Sequence, residues 1–316
     1  MSADTTMSSL AERISTYDLP PRDAKAIGRA RAAIITAFGR TLSGASAAVT
    51  KALLAVPGVA AGGGAALVFG SERRTSALEA ALINATAAVA GSGASSDAAN
   101  AAFVVSLFGL CEERGKTGQE FVDALIAGAD ISRSLVPSPV QIGSALLGSV
   151  AASARLLELS RPKIAAALLM AGSANVGNAA AGQGGAEALA VGQGLRRGLL
   201  AALLAEAMDE ASCQQVIDDD QRAAGAGLSI GEGLDLLAVE SPPGADLWDQ
   251  FDQHVGTVLA RDDVAPLFER LETIEKVNDL AMVSRLLQGR GARAAPKKVV
   301  FAPRGTHEPE ETNWVP

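Results

Sequence analysis

The 316-residue chain predicts an all-α fold, and three observations carry that expectation. Apolar residues recur at spacings of three and four, the period of a helix with one buried face. Helix start and stop residues bracket these runs, and no alternating apolar–polar run competes with them. Hydrophobic residues reach 48% while aromatics are only 3%. A core rich in Gly and Ala suits helices whose backbones approach closely.

In order, Pro20 and Pro21 open a segment in which Ile27, Ala30, Ile34, Phe38 and Leu42 share a face, and Gly44 follows as a stop. Ser76 with Glu79 forms a capping box ahead of Leu78, Leu82 and Ala85. Phe103, Leu107 and Leu110 mark the next helix, closed near Gly115. Thr117 with Glu120 caps another, carrying Phe121, Leu125 and Ile131. Ser138–Pro139 predicts a helix running to about Leu157, and Ser160 before Pro162 repeats the device.

A Gly- and Asn-rich interval, 172–185, precedes EALAVGQGLRRGLLAALLAEAM, where Leu195, Leu199 and Leu203 share a face. Residues 209–245 are more polar and less regular, and helical spacing returns over 246–288. Residues 289–316 are a Pro-, Lys-, Arg- and Glu-rich tail with too little apolar surface to order alone. One helical domain over 1–288 is expected, with no internal repeat.

The net charge of −8 gives no electrostatic footprint for nucleic acid or anionic lipid. Neither partner is expected. Two cysteines, Cys111 and Cys213, cannot form a disulfide framework, and the N-terminus carries no export signal. Apolar stretches such as 142–154 are too short for a membrane span. A cytoplasmic location follows as the expectation.

Several motifs imitate chemistry. GLSIG at 227–231 has the nucleophile-elbow pattern, but DDDQRAAGA before it is no strand. Gly115-Lys116-Thr117 lacks the earlier glycine of a phosphate loop, and GQGLRRG at 192–198 sits inside a helical run, where close packing explains it better. The acids of IDDDQR read as a solvated run, His254 as a residue of an amphipathic face, and His307 as part of the tail. No metal or cofactor is expected.

The segments YDLPPRDAKAIGRARAAIITAFGRTLSGA, ALEAALINATAAVAG, EERGKTGQEFVDALIAGADISRSL and GSVAASARLLELSRPKIAAALLMAGSANVG, in that order, resemble the MmgE/PrpD family, which includes 2-methylcitrate dehydratase and cis-aconitate decarboxylase. The resemblance covers roughly residues 10–208, and LFERLETIEKVNDLAMVSRLL is similar to the family's closing helices. It implies a large helical domain, usually dimeric, with an α/β lid inserted before those closing helices. Only the connection 209–245 occupies the lid's place, so the expected fold is the family's helical bundle without its lid.

The resemblance also locates a pocket. The family's histidine and paired aspartates fall on Val89, Ala94 and Ser95. Its His-Pro-Ser and His-Pro-Thr elements fall near Ala98–Asn100 and Pro137–Gln141, its lysine on Glu187, and the aspartate of its first long helix on Thr36. Without those groups, elimination from a polycarboxylate lacks both its cations and its base. Asp130 and Arg133 match a family acid and arginine and are read as scaffold.

The remaining candidates are Asp97 and Glu187 as acid or base, and Asn84, Val89, Asn100, Gln141, Asn178 and Gln183 as substrate contacts. A cap, turn or packing role is the commoner one for each polar residue among them. The expected function is a repurposed lyase, isomerase or cyclase, acting on a larger and less charged small molecule of specialised metabolism. The alternative is a non-catalytic pseudoenzyme serving as a dimeric scaffold or partner subunit.

Overall fold

A computed structural model describes residues 7–18, 23–93, 97–133, 143–172, 184–222, 235–239, 246–256 and 258–289. The helices are α1 (Met7–Ser15), α2 (Ala24–Gly44), α3 (Ala48–Ala55), α4 (Ala77–Ser92), α5 (Ala98–Glu113), α6 (Gly118–Arg133), α7 (Ser144–Leu156), α8 (Arg161–Gly172), α9 (Gly185–Ala207), α10 (Glu210–Arg222), α11 (Leu247–Val255), α12 (Arg261–Glu272) and α13 (Ala281–Ser284). The described residues form an all-α bundle.

Local chemistry sets many of the ends. Asp23 accepts a hydrogen bond from Lys25 N at the start of α2, and Ser76 accepts from Glu79 N at the start of α4. Before α6, Glu120 N donates to Thr117 Oγ1 at 3.2 Å while Thr117 N donates to Glu120 Oε2 at 2.8 Å, a complete capping box. These contacts hold the Glu120 carboxyl below its usual range, the Thr117 backbone bond first.

The helix expected from Ser138 is described from Ser144 on, with Gly143 as its N-cap, and Ser138 itself lies outside the described residues. Three expectations need correction. Ser160 precedes α8, but its buried hydroxyl makes no hydrogen bond among the described residues. A short antiparallel ladder, β1 (Ala66–Leu67) with β2 (Arg74–Thr75), interrupts the helices, and the irregular 209–245 stretch begins with the helix α10. Four-residue periodicity cannot reveal two-residue strands.

The main core joins α2, α4, α5 and α6 to the closing helices α11–α13. Edge-to-face contacts link Phe38 with Phe69 and Phe108, and Phe108 with Phe121. A second cluster gathers α1, α7, α8 and the end of α9. Two glycines set the crossing of α2 and α4: a Cβ on Gly44 would overlap the Ala87 carbonyl, and one on Gly91 the Arg40 carbonyl. The backbones therefore touch, which fixes Arg40 beside the end of α4.

Helix α9 packs on α4 as the glycine-rich run requires. Gly192 lies against Leu82 and Thr86, and Arg196 pairs with Glu79 at 2.8 Å, so the two helices run antiparallel. By length and hydropathy α9 is able to cross a bilayer, and 44% of its apolar window is buried within the bundle.

The buried Glu112 of α5 ties the ladder and the closing segment to the core. It accepts from Leu67 N at 2.9 Å, from Arg74 at 3.1 Å and from the Ser284 hydroxyl. Burial pushes its carboxyl pKa up, against those donors.

Candidate functional site

The N-terminus of α5, the middle of α2 and the helix α11 meet at a small ionic cluster. Asp97 occupies the N-cap position of α5, yet its carboxylate makes no cap bond. It pairs instead with Arg40 of α2 at 2.5 Å, with side-chain exposures of 5% and 8%. A buried pair this close is strongly coupled, because removing either side chain takes from the other the opposite charge packed against it.

Along α2, one turn before Arg40, Thr36 is buried, with its hydroxyl unbonded among the described residues. From the other side, α11 lays Phe251 and His254 across Gly39; a Cβ there would be 3.3 Å from Phe251 and 3.4 Å from His254. Partial burial first, and the Arg40 charge second, hold the His254 imidazole below its ordinary pKa. At neutral pH it is a free base.

This corrects two expectations. The site has not lost all its ionic equipment, because Arg40 and Asp97 form a buried ion pair within it. His254 is more than a residue of an amphipathic face, because it stands beside that pair. The signal for Arg40 was present: it is the one charge within the apolar run AAIITAFGRTL, a position that demands a partner. The partner is 57 residues away in sequence, which no spacing rule reaches.

Asn100, one turn beyond Asp97 on α5, donates from its amide to Asp235 O at 3.1 Å and Ala238 O at 3.0 Å. Arg29 of α2 forms an ion pair with Asp235, and Leu236 is fully buried. Residues 235–239, part of the connection in the lid's place, are thereby fastened onto α2 and α5. They form one wall of an open pocket of about 500 Å³ lined by Arg29, Ala32, Asp235, Leu237, Val239 and Leu247. Its walls are mainly apolar, and its one cation and one anion neutralise each other.

The cavity and the ionic cluster share the α2–α11 groove. Leu247 and Ala32 line the cavity, and His254 meets Gly39, seven residues further along both helices, or ~10 Å at 1.5 Å per residue. Asn100 links the two regions.

The other expected residues divide. Asn84 is buried and bonded to the ladder strand: its amide donates to Leu67 O at 2.8 Å and its carbonyl accepts from Phe69 N at 3.0 Å. Val89 and Ala98 are buried in the main core. Glu187 is half-buried in the first turn of α9, and the antiparallel register brings that turn level with the end of α4. Gln141, Asn178, Gln183, Ala94, Ser95 and the GLSIG stretch lie outside the described residues.

Asp130 and Arg133 form the expected pair on α6, joined by the Tyr17 hydroxyl, which donates to Asp130 at 2.5 Å. Among the described residues no cluster of three or more His, Cys, Asp or Glu is placed to hold a metal ion.

Compared with known proteins, residues 8–235 match the family model of the MmgE/PrpD N-terminal domain. None of the curated proteins matches the chain.

Proposed function

Because the chain belongs to the MmgE/PrpD family, carrying its N-terminal domain over residues 8–235, we propose that it is a divergent enzyme on that helical scaffold. It acts as a lyase, isomerase or cyclase on a small molecule larger and less charged than a citrate-like acid, in a cytoplasmic setting and as a homodimer. The observation that carries this reading is the mainly apolar pocket that shares the α2–α11 groove with a buried ion pair and His254.

In this reading the pocket holds the substrate body by apolar contact, with residues 235–239 as one wall. Asp97 is the counter-ion that keeps Arg40 in place. His254 takes or returns the proton, with the buried Arg40–Asp97 pair beside it. Glu187 is the second acid or base to test. Citrate-like acids fit poorly, since Arg40 is already neutralised and Asp235 neutralises Arg29.

The alternative, a non-catalytic dimeric scaffold, draws on the burial of Val89 and Ala98 in the core. Incubation of the protein with mixed metabolite extracts, followed by mass-resolved profiling, separates the two. The enzyme reading expects at least one compound to be consumed by the wild type and spared by His254→Gln and by the cavity-filling Ala32→Phe. Identical profiles with and without protein would end it in favour of the scaffold.

A further inference from the structure

Thr36, in the middle of α2, is 8% exposed, and its hydroxyl makes no hydrogen bond among the described residues. A buried threonine inside a helix commonly returns its hydroxyl to the carbonyl four residues back. Thr41 does so on Ala37 O at 2.7 Å, and Thr86 on Leu82 O at 2.8 Å. Thr36 makes no such bond to Ala32 O. A hydroxyl withdrawn from water without a partner is costly, so its position calls for an account.

Helix geometry gives that position. At about 100° and 1.5 Å per residue, Thr36 falls ~20° from Arg29 and ~40° from Ala32 around α2, and ~6 Å beyond Ala32 along it. Arg29 and Ala32 line the pocket, and Arg40 lies one turn further on. On the facing helix, Leu247 lines the pocket and Phe251, one turn later, packs against Gly39. Thr36 therefore stands on the pocket side of α2, between the pocket and the Arg40–Asp97 pair.

The hydroxyl is donor and acceptor at once, which suits a neutral oxygen. Charge points the same way. Arg29 is paired with Asp235 and Arg40 with Asp97, so both cations on this side of α2 already hold an aspartate. An added carboxylate would have to compete for them.

We propose that Thr36 is a specificity-determining residue of the α2–α11 groove. Its hydroxyl bonds a neutral carbonyl or hydroxyl oxygen on a ligand whose apolar body lies against Ala32, Leu237 and Leu247. This rests on the reading of the groove as a small-molecule site and adds the functional group recognised there. Discrimination comes from the hydroxyl, because a ligand without the oxygen leaves it unanswered, whereas apolar walls distinguish similar shapes weakly.

Amide NMR titration of the full chain tests this with cyclohexanone and with methylenecyclohexane, in which a CH2 group replaces the carbonyl oxygen. Cyclohexanone should shift the Ala32, Leu237 and Leu247 amides saturably and bind at least about fivefold more tightly than the alkene. Thr36→Val, close in shape but without the hydroxyl, should abolish that preference, and Thr36→Ser should retain it. The unfolding midpoint of Thr36→Val should equal or exceed that of the wild type, since no hydrogen bond is lost. A lowered midpoint would show that the hydroxyl is already engaged and would overturn the proposal. Equal binding of the two probes by the wild type, a preference surviving in Thr36→Val, or its loss in Thr36→Ser would overturn it while leaving the groove a ligand site. If neither probe shifts those three amides, the groove reading and the proposal fall together.

Discussion

Replacing Asp97 by Ala should be among the most destabilising single changes in the chain. Its carboxylate and the Arg40 guanidinium are 5% and 8% exposed and 2.5 Å apart, so truncation takes from a buried guanidinium the carboxylate packed against it. Breaking a buried pair in this way costs about 3–5 kcal/mol, a large share of the ~5–15 kcal/mol that holds a domain folded. With a urea slope of ~2.5 kcal/mol per molar, the unfolding midpoint should fall by ~1–2 M. The assay is equilibrium urea unfolding followed by circular dichroism at 222 nm. Arg40→Met combined with Asp97→Leu removes both charges and keeps the volume filled, and should recover most of the loss. A single variant within ~0.5 kcal/mol of wild type would refute the buried pair. A double variant no better than the single would show that something other than the orphaned charge is responsible.

Gly91→Ala should cost roughly 1–3 kcal/mol by forcing α4 away from the Arg40 carbonyl, read as a lowered thermal midpoint; an unchanged midpoint would contradict the close crossing. Glu112→Ala orphans the buried Leu67 N–H and should cost about 1–3 kcal/mol, with hydrogen exchange accelerating first around residues 66–75. His254 has a pKa lowered in the fold, so the unfolded chain binds its proton more readily. Its contribution to stability is complete above the unfolded value near 6.5 and falls as pH drops below that value, levelling off beneath the folded pKa. His254→Gln should remove that part of the pH dependence, and proton NMR should place the imidazole below 6.5; a value at or above it would refute the influence of burial and Arg40.

Helix identity was legible because its signals are local. The capping boxes at Ser76 and Thr117, the stop at Gly44 and the face shared by Leu195 and Leu199 all act within a turn or two. The Gly192 contact with α4 also followed, since small residues inside a helical run call for a close neighbour. The ladder at 66–75 was missed because two-residue strands carry no period.

The candidate site was legible only in outline. Resemblance placed Asp97 and Asn100 at the pocket, but a helix N-terminus alone could not show that Asp97 serves Arg40 instead of its own cap. His254 was set aside because one histidine on an amphipathic face has no local company. Its neighbour Arg40 lies more than 200 residues earlier, brought near by α11 crossing α2 at Gly39. The wall formed by residues 235–239 depends on Asn100 bonding to backbone carbonyls, a contact with no side-chain signature at its other end.

The most direct measurement is a crystal structure with a compound that metabolite profiling shows to be consumed. Ligand density should fill the space between Ala32, Leu237 and Leu247, with the reacting end directed along the α2–α11 groove toward Arg40 and His254. Density elsewhere on the bundle, or a citrate-like acid bound with Arg40 released from Asp97, would contradict the assignment of this groove and its chemistry.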